Sequence, residues 1–267
     1  MKTLKEYLSD AKKGGYAIGH FNFATEDVLR GIVEVSMEAG VPCVMVGTSE
    51  GEVEFFGMKE AVAVVKAMRE HFNYPVFLNA DHFKNFEKCK EAIDTGYDSV
   101  IIDTSKLPYE ENVASARKTV EYAKSVNPAI TVEGELGYLK GSSEVQQKIE
   151  ISAEDYTKPE MAQDFVDKTG VSRLAVVFGN IHGIVTDQEE KLDIEHFRKI
   201  VAVIPVPKTI PDSTPSDSRP ISATPILFRL VERQVVRDFI MPNVSPDNFY
   251  GQYSFKAIGS KQPLSLI

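Results

Sequence analysis

The chain contains no tryptophan, only two cysteines in 267 residues, and no surplus of positive charge. Each shortage removes a class of protein. A formal net charge of −9 argues against general nucleic-acid binding, which needs clustered Lys and Arg facing phosphate. No apolar run approaches the roughly 18 residues of a membrane-spanning helix. The start, MKTLKEYLSDAKKGG, is amphipathic and charged and lacks the apolar stretch of a secretory leader. Cys43 and Cys89 lie far apart in apolar-periodic segments. They read as buried thiols of a reducing cytoplasm, not as a disulfide framework. Histidine is scarce as well, and none follows His196. What remains is an ordinary globular balance, 43% hydrophobic and 26% charged, enough to bury a sizeable core.

Two patterns alternate from residue 16 to residue 204. Short apolar, β-branched runs lie at 16–22, 41–47, 74–81, 98–104, 129–136 and 172–179. Each is too short for a helix and rich in Val and Ile. Between them lie segments of helical period at 26–39, 59–71, 83–95, 109–126, 159–169 and 193–203. Glycines close several of these, as in EAG, DTGY and KTGV, which suits helix C-termini. Near-continuous apolar strands alternating with helices imply parallel strands covered by helices. Six such units in this length match the cadence of a (β/α)8 TIM barrel. A doubly wound open sheet is the architectural alternative.

Polar residues gather at the C-terminal ends of the apolar runs: Asn22, Ser49, Asp81 with His82, Asp103 with Ser105, Glu133 with Glu135, and Asn180 with His182. In a barrel these ends converge on one face, where active sites are built. Imidazoles with carboxylates suit a divalent transition metal such as zinc. A metal beside a free carboxylate polarises a carbonyl while the carboxylate moves a proton. The bland reading of a single strand-end histidine is a hydrogen-bonded core residue. His20 reads either as a ligand or, since it precedes a strand end, as a packed residue, and His71 and His196 fall on helical segments facing solvent. Glu133 and Glu135 alternate along one strand and so share a side. Two like charges on one buried side require something cationic or protonated nearby. No lysine ends a buried strand in this reading.

The segments NADHF, GYDSVIIDTS, EENVASARKTVEYA, VEGELG, DYTKPEMAQDFVDKTGVSRLAVVFGNIHG and LDIEHFRKI together resemble the class II, metal-dependent fructose-bisphosphate and ketose-bisphosphate aldolases. HFNFATEDVLRGIVEVSMEAGVPCVMVGTSEGE resembles the opening of that family. The resemblance runs from residue 1 to about residue 204. It implies that His82 and His182 bind a catalytic Zn2+ and that Asp81 moves the proton of the hydroxyl next to the bond that breaks. It implies that Glu135 and Asp103 serve an alternative or second metal position. By the same resemblance Asn22, Ser49 and Gly183 face a sugar-phosphate substrate, its dihydroxyacetone-phosphate half in particular. The reaction implied is reversible aldol cleavage, with metal replacing the Schiff-base lysine of the other aldolase class. Family members are usually dimers or larger and cytoplasmic. A catalytically inactive barrel that binds sugar phosphate or a partner is the rival function, and another metal-dependent barrel enzyme, such as an isomerase, is a third.

Two stretches depart from the family pattern. After GELG the family has paired glycines and then an acid/base residue on a mobile loop. Here Lys140 and Ser143 stand at those places, and Glu144, one position late, takes the acid/base assignment. The larger departure begins near Pro205. The family's seventh and eighth strands, which carry a third zinc histidine and phosphate-binding motifs, have no counterpart in 205–267. Proline occupies 205, 207, 211, 215, 220 and 225, which excludes a central strand. ILFRLVERQVVRDFI follows as one amphipathic helical stretch. The chain thus reads as a barrel domain over 1–204 with a non-family tail over 205–267, strands seven and eight missing or replaced. Out-of-frame translation of the usual ending is the simplest cause, and genuine replacement of two strands is the alternative. Reading the gene from codon 200 in all three frames checks this: a His-Gly-Gly-Ser-Gly motif is expected in another frame.

Overall fold

The structure is a computed structural model that describes residues 1–137, 140–187 and 191–204. The side chains of 141–146 and 183–185 fall outside the described residues, as does the predicted tail 205–267. The chain runs α1 (Leu4–Gly14), β1 (His20–Asn22), α2 (Glu26–Glu38), β2 (Val44–Ser49), α3 (Glu50–Phe56), α4 (Met58–Phe72) and β3 (Val76–Phe83). It continues with α5 (Phe86–Thr95), β4 (Ser99–Ile102), α6 (Tyr109–Val126), β5 (Thr131–Leu136), β6 (Gly141–Gln146), α7 (Pro159–Thr169), β7 (Arg173–Val176), β8 (His182–Val185) and α8 (Ile194–Val203).

Among the described residues the main sheet has six parallel strands in the order β1-β2-β3-β4-β5-β7. Spatial order follows chain order throughout. A doubly wound sheet reverses direction at a switch point, and this sheet has none, so the alternative architecture is set aside. The arrangement is six βα units of a TIM barrel, a partial barrel with its helices on the outer face. Among the described residues no helix is long and apolar enough to cross a membrane.

The helices form where the sequence supplies both a cap and an apolar stripe. Thr3, Thr25, Ser49, Asn85 and Asp193 cap the N-termini of α1, α2, α3, α5 and α8 by accepting a backbone N–H, each worth about 1 kcal/mol. Gly96 and Gly170 end α5 and α7 in the left-handed conformation. The stripe on α2 buries Leu29, Ile32 and Val33, and that on α7 buries Ala162, Phe165 and Val166. These meet the outward residues of the strands, such as Val46, Leu78, Val100 and Val132, in one core. Cys43 and Cys89 are free and buried, as expected. Burial pushes both thiols up, Cys43 to about 12, so neither is reactive at neutral pH.

Four elements were not foreseen from periodicity. The charged N-terminus forms α1, whose Leu4 packs with Cys43, Met45 and Phe77. Residues 50–56 form α3 directly behind β2. The polar stretch after GELG is no plain loop: β6 pairs in parallel with β8, Gly141 opposite His182. Lys140 anchors its start, its ammonium donating to Asp155 Oδ2 at 2.9 Å and to the Glu150 carbonyl at 3.2 Å.

The interior side of the sheet is polar at depth. Glu133 and Arg173 are register partners on β5 and β7 and pair at 3.1 Å with 3% and 4% of each side chain exposed. This is the cation that two glutamates on one buried side require. Arg173 also donates to Ser99 Oγ at 2.6 Å. His20 is buried on β1 beside the Asn79 amide at 3.3 Å. Burial pushes its imidazole down to about 4, against the opposing pull of Asp81.

Two outcomes follow from this packing. A Cβ at Gly134 would sit 2.6 Å from Phe165 Cε1 and 3.1 Å from its Cζ. Gly134→Ala is expected to destabilise the chain by about 1–3 kcal/mol in urea unfolding, with part of the loss recovered by Phe165→Leu. Because the folded His20 stays neutral down to about pH 4 while an unfolded histidine takes its proton near 6.5, the unfolded state binds more protons in that window. Stability is therefore expected to fall by up to about 3 kcal/mol as pH drops from 6.5 to 4. In His20→Gln that slope is expected to flatten; an unchanged slope would assign it to other groups.

Candidate active site

The site begins with a defect in β3. Ala80 pairs with Val100 and Phe83 with Ile102, so three steps on β3 oppose two on β4. The extra residue is a β-bulge, which bends a strand and re-aims side chains. His82 absorbs it with φ of 51°, in the left-handed region where a non-glycine residue carries about 1–2 kcal/mol of strain. On a regular strand Asp81 and His82 would point to opposite faces. Here both reach the rim. His82 Nε2 lies 4.0 Å from Asp81 Oδ1.

Three strands deliver the partners. His82 Nδ1 lies 3.2 Å from Asp103 Oδ2, just past β4, and 2.9 Å from Glu135 Oε2 on β5. One ligand atom from each of His82, Asp103 and Glu135 falls within 4.8 Å of the others. The His182 ring, from the start of β8, stands with its centroid 5.6 Å from that of His82. Glu135 Oε2 is buried and receives no hydrogen bond of proper geometry, despite its closeness to His82. A buried carboxylate oxygen left so is costly, and a cation coordinated there would satisfy it. Imidazole nitrogen and carboxylate oxygen are donors that fit a divalent ion such as zinc.

Electrostatics keep the carboxylates ionised. Burial raises the Asp81 carboxyl, but His82, His20 and the Asn22 hydrogen bond outweigh it and hold it below the usual range. Burial also raises Asp103, and hydrogen bonds from His82, Lys84 and Ser105 hold it far below. Glu135 is the exception: burial wins and its carboxyl is raised. His82 is raised well above an ordinary imidazole, since Asp81, Asp103 and Glu135 together overcome its burial.

Asn22 connects two strands, its Nδ2 donating to Asp81 Oδ2 at 2.8 Å and to Glu52 Oε2 at 3.1 Å. Ser49, in register with Asp81, caps α3 in a reciprocal box with Glu52. Gly183 lies on β8. Glu144 lies on β6, beside the strand of His182, and its side chain is outside the described residues. Two site neighbours escaped the sequence reading. Glu52 is signalled by the Ser-x-x-Glu spacing of a capping box. The expectation that no lysine ends a buried strand is corrected: β3 extends to Phe83, Lys84 follows at once, and its ammonium contacts Asp103 Oδ2. The bulge moved the strand end beyond the apolar run that periodicity had marked.

The profile described as "Fructose-bisphosphate aldolase class-II" matches residues 2–212. A fructose-bisphosphate aldolase of Staphylococcus aureus (strain Mu50) is 40% identical over 186 residues, 68% of this chain and 62% of that protein. The chain thus spans less than two thirds of the length of that relative. The Staphylococcus epidermidis (strain ATCC 12228) fructose-bisphosphate aldolase is 37% identical over 217 residues, covering 79% and 73% of the two chains. Among solved structures, the YdjI aldolase from Escherichia coli K12 superposes with a TM-score of 0.64 at 28% identity, over 75% of this chain and 69% of that one. A putative fructose-1,6-biphosphate aldolase from Coccidioides immitis, at 24% identity and a TM-score of 0.65 over 76% and 69% of the two chains, shares the fold. Strand order, the rim of histidines and carboxylates, and a family match over most of the length agree: the chain belongs to the class II fructose-bisphosphate aldolase family.

Proposed function

We propose that this rim performs reversible, zinc-dependent aldol cleavage of a ketose 1,6-bisphosphate of fructose or tagatose type, giving dihydroxyacetone phosphate and glyceraldehyde 3-phosphate. The observation that carries the reading is the convergence of His82, Asp103 and Glu135 beside an ionised, hydrogen-bonded Asp81. His82 and His182, with Glu135 and Asp103, are the residues that would hold Zn2+. Bound there, zinc supplies Lewis-acid stabilisation of negative charge developing next to a carbonyl.

The chain's own groups do the rest. Asn22 holds Asp81 Oδ2, which leaves Oδ1 to take the proton of the substrate hydroxyl as the carbon–carbon bond breaks. The low proton affinity of Asp81 keeps it a base at neutral pH and lets it return the proton in the condensation direction. Ser49 and Gly183 lie at strand positions suited to the phosphate of the dihydroxyacetone-phosphate half, and Glu144 is assigned the second acid/base role. A homodimer or larger assembly and a cytoplasmic location belong to the same reading. So does a domain limit near residue 204, with the family match ending at 212.

The absence of any histidine after His196 favours reduced turnover, because the family's third zinc histidine has no counterpart. It also supports the second reading, a barrel that binds sugar phosphate or a partner without cleaving. A coupled assay on the full chain separates the two. Weak cleavage of fructose 1,6-bisphosphate is expected, abolished by a chelator and lowered on the order of 10²- to 10⁴-fold in kcat by Asp81→Asn. Cleavage indifferent to chelator and to Asp81→Asn would sink the proposal. Thermal protection by dihydroxyacetone phosphate with no cleavage at all selects the binding barrel.

A further inference from the structure

Lys84 has no role in the aldolase reading, yet it occupies one of the proposed metal-ligand oxygens. Its backbone N–H donates to Glu50 Oε1 at 2.8 Å, which ties the residue to the start of α3. Its ammonium lies on Asp103 Oδ2, the same oxygen that His82 Nδ1 reaches at 3.2 Å. The other oxygen of Asp103 accepts from Ser105 Oγ at 2.7 Å and from the Ser105 amide at 3.3 Å. Both oxygens of Asp103 are therefore engaged, whereas Glu135 Oε2 lacks a well-formed hydrogen bond. A divalent ion that uses Asp103 must take lone pairs now facing an ammonium, and two cations on one carboxylate oxygen repel.

The two partners differ in freedom. The Lys84 side chain is 53% exposed, while that of Asp103 is 8% exposed. Lysine can withdraw its compact, strongly hydrated charge into water on a flexible stem. Asp103 cannot follow, because Ser105 and His82 hold it.

We propose that Lys84 is a displaceable internal cation: its ammonium neutralises Asp103 until a divalent ion binds, and Lys84 thereby sets the affinity and exchange of metal at the rim. This rests on the metal-site reading of His82, Asp103 and Glu135. The chain then never presents its ionised carboxylates to one another without a cation among them.

The test uses the full chain stripped by chelator, titrated with Zn2+ against a chromophoric competitor. Lys84→Met is expected to bind Zn2+ about three- to tenfold more tightly than the parent, and Lys84→Arg, which keeps the charge, no more tightly. The parent chain provides a second readout free of mutation. Acylation of Lys84 by an amine-reactive ester, read by mass spectrometry with Lys59 on α4 as reference, is expected to rise severalfold on adding Zn2+. Equal Zn2+ affinity in the parent and Lys84→Met overturns the proposal and leaves the metal site standing. Tighter binding without a change in labelling also overturns it, since charge acting at a distance then suffices. Failure of both chains to bind Zn2+ overturns it together with the metal-site reading.

Discussion

The site depends on one irregular turn of backbone. Without the extra residue in β3, Asp81 and His82 would face opposite sides of the sheet. Either Asp81 or His82 would then point into the helical layer. The bulge and the left-handed His82 put both on the rim. They also extend the strand to Phe83, which buries on the helical side, and start Lys84 on the path to Asp103. The strain is held because β3 is central: β2 pairs it on one side in six register positions, and β4 resumes pairing after the bulge. A neighbour fixed on both flanks leaves the chain no cheaper way to place the extra residue.

Below the rim, polarity is arranged in depth. Glu133 and Arg173 pair inside the barrel, and Ser99 Oγ accepts a further hydrogen bond from the guanidinium. A buried pair of this kind is weak evidence for stability in itself. Its value here is that Glu133 has a cation within its own layer. Glu135, two residues on and on the same side, is left to the rim. Its Oε2 has no well-formed hydrogen bond, and burial raises its carboxyl. Two glutamates on one strand thus have separate partners and separate tasks, decided by which cation each neighbouring strand delivers.

Charge at the rim is close to balance. Asp81, Asp103 and Glu135 face His82 and Lys84, with His182 alongside. Histidines near carboxylates hold protons more tightly, and metal ions compete with those protons. The same donors that make the cluster fit a divalent ion make it hold an ammonium in the absence of one. Lys84 belongs to that balance as much as the assigned ligands do.

Much of this was legible in the sequence. Val- and Ile-rich runs at regular intervals specify parallel strands, and the apolar period between them specifies helices, because both patterns are local. Asn22, Asp81, His82, Asp103 and Glu135 each follow or end such a run, so their common location at a barrel rim follows from parallel connectivity. Tertiary structure alone decided the rest. The bulge at His82 depends on the register of β3 against β4. The pairing of Arg173 with Glu133, and of Lys84 with Asp103, joins residues far apart in the chain through the sheet. The β6–β8 ladder joins two short segments, GSSEVQ and HGIV, with no apolar alternation to announce them. Local period fixes which residues lie on which face, but pairing between distant strands fixes which charges meet, and the chemistry of this site is a matter of which charges meet.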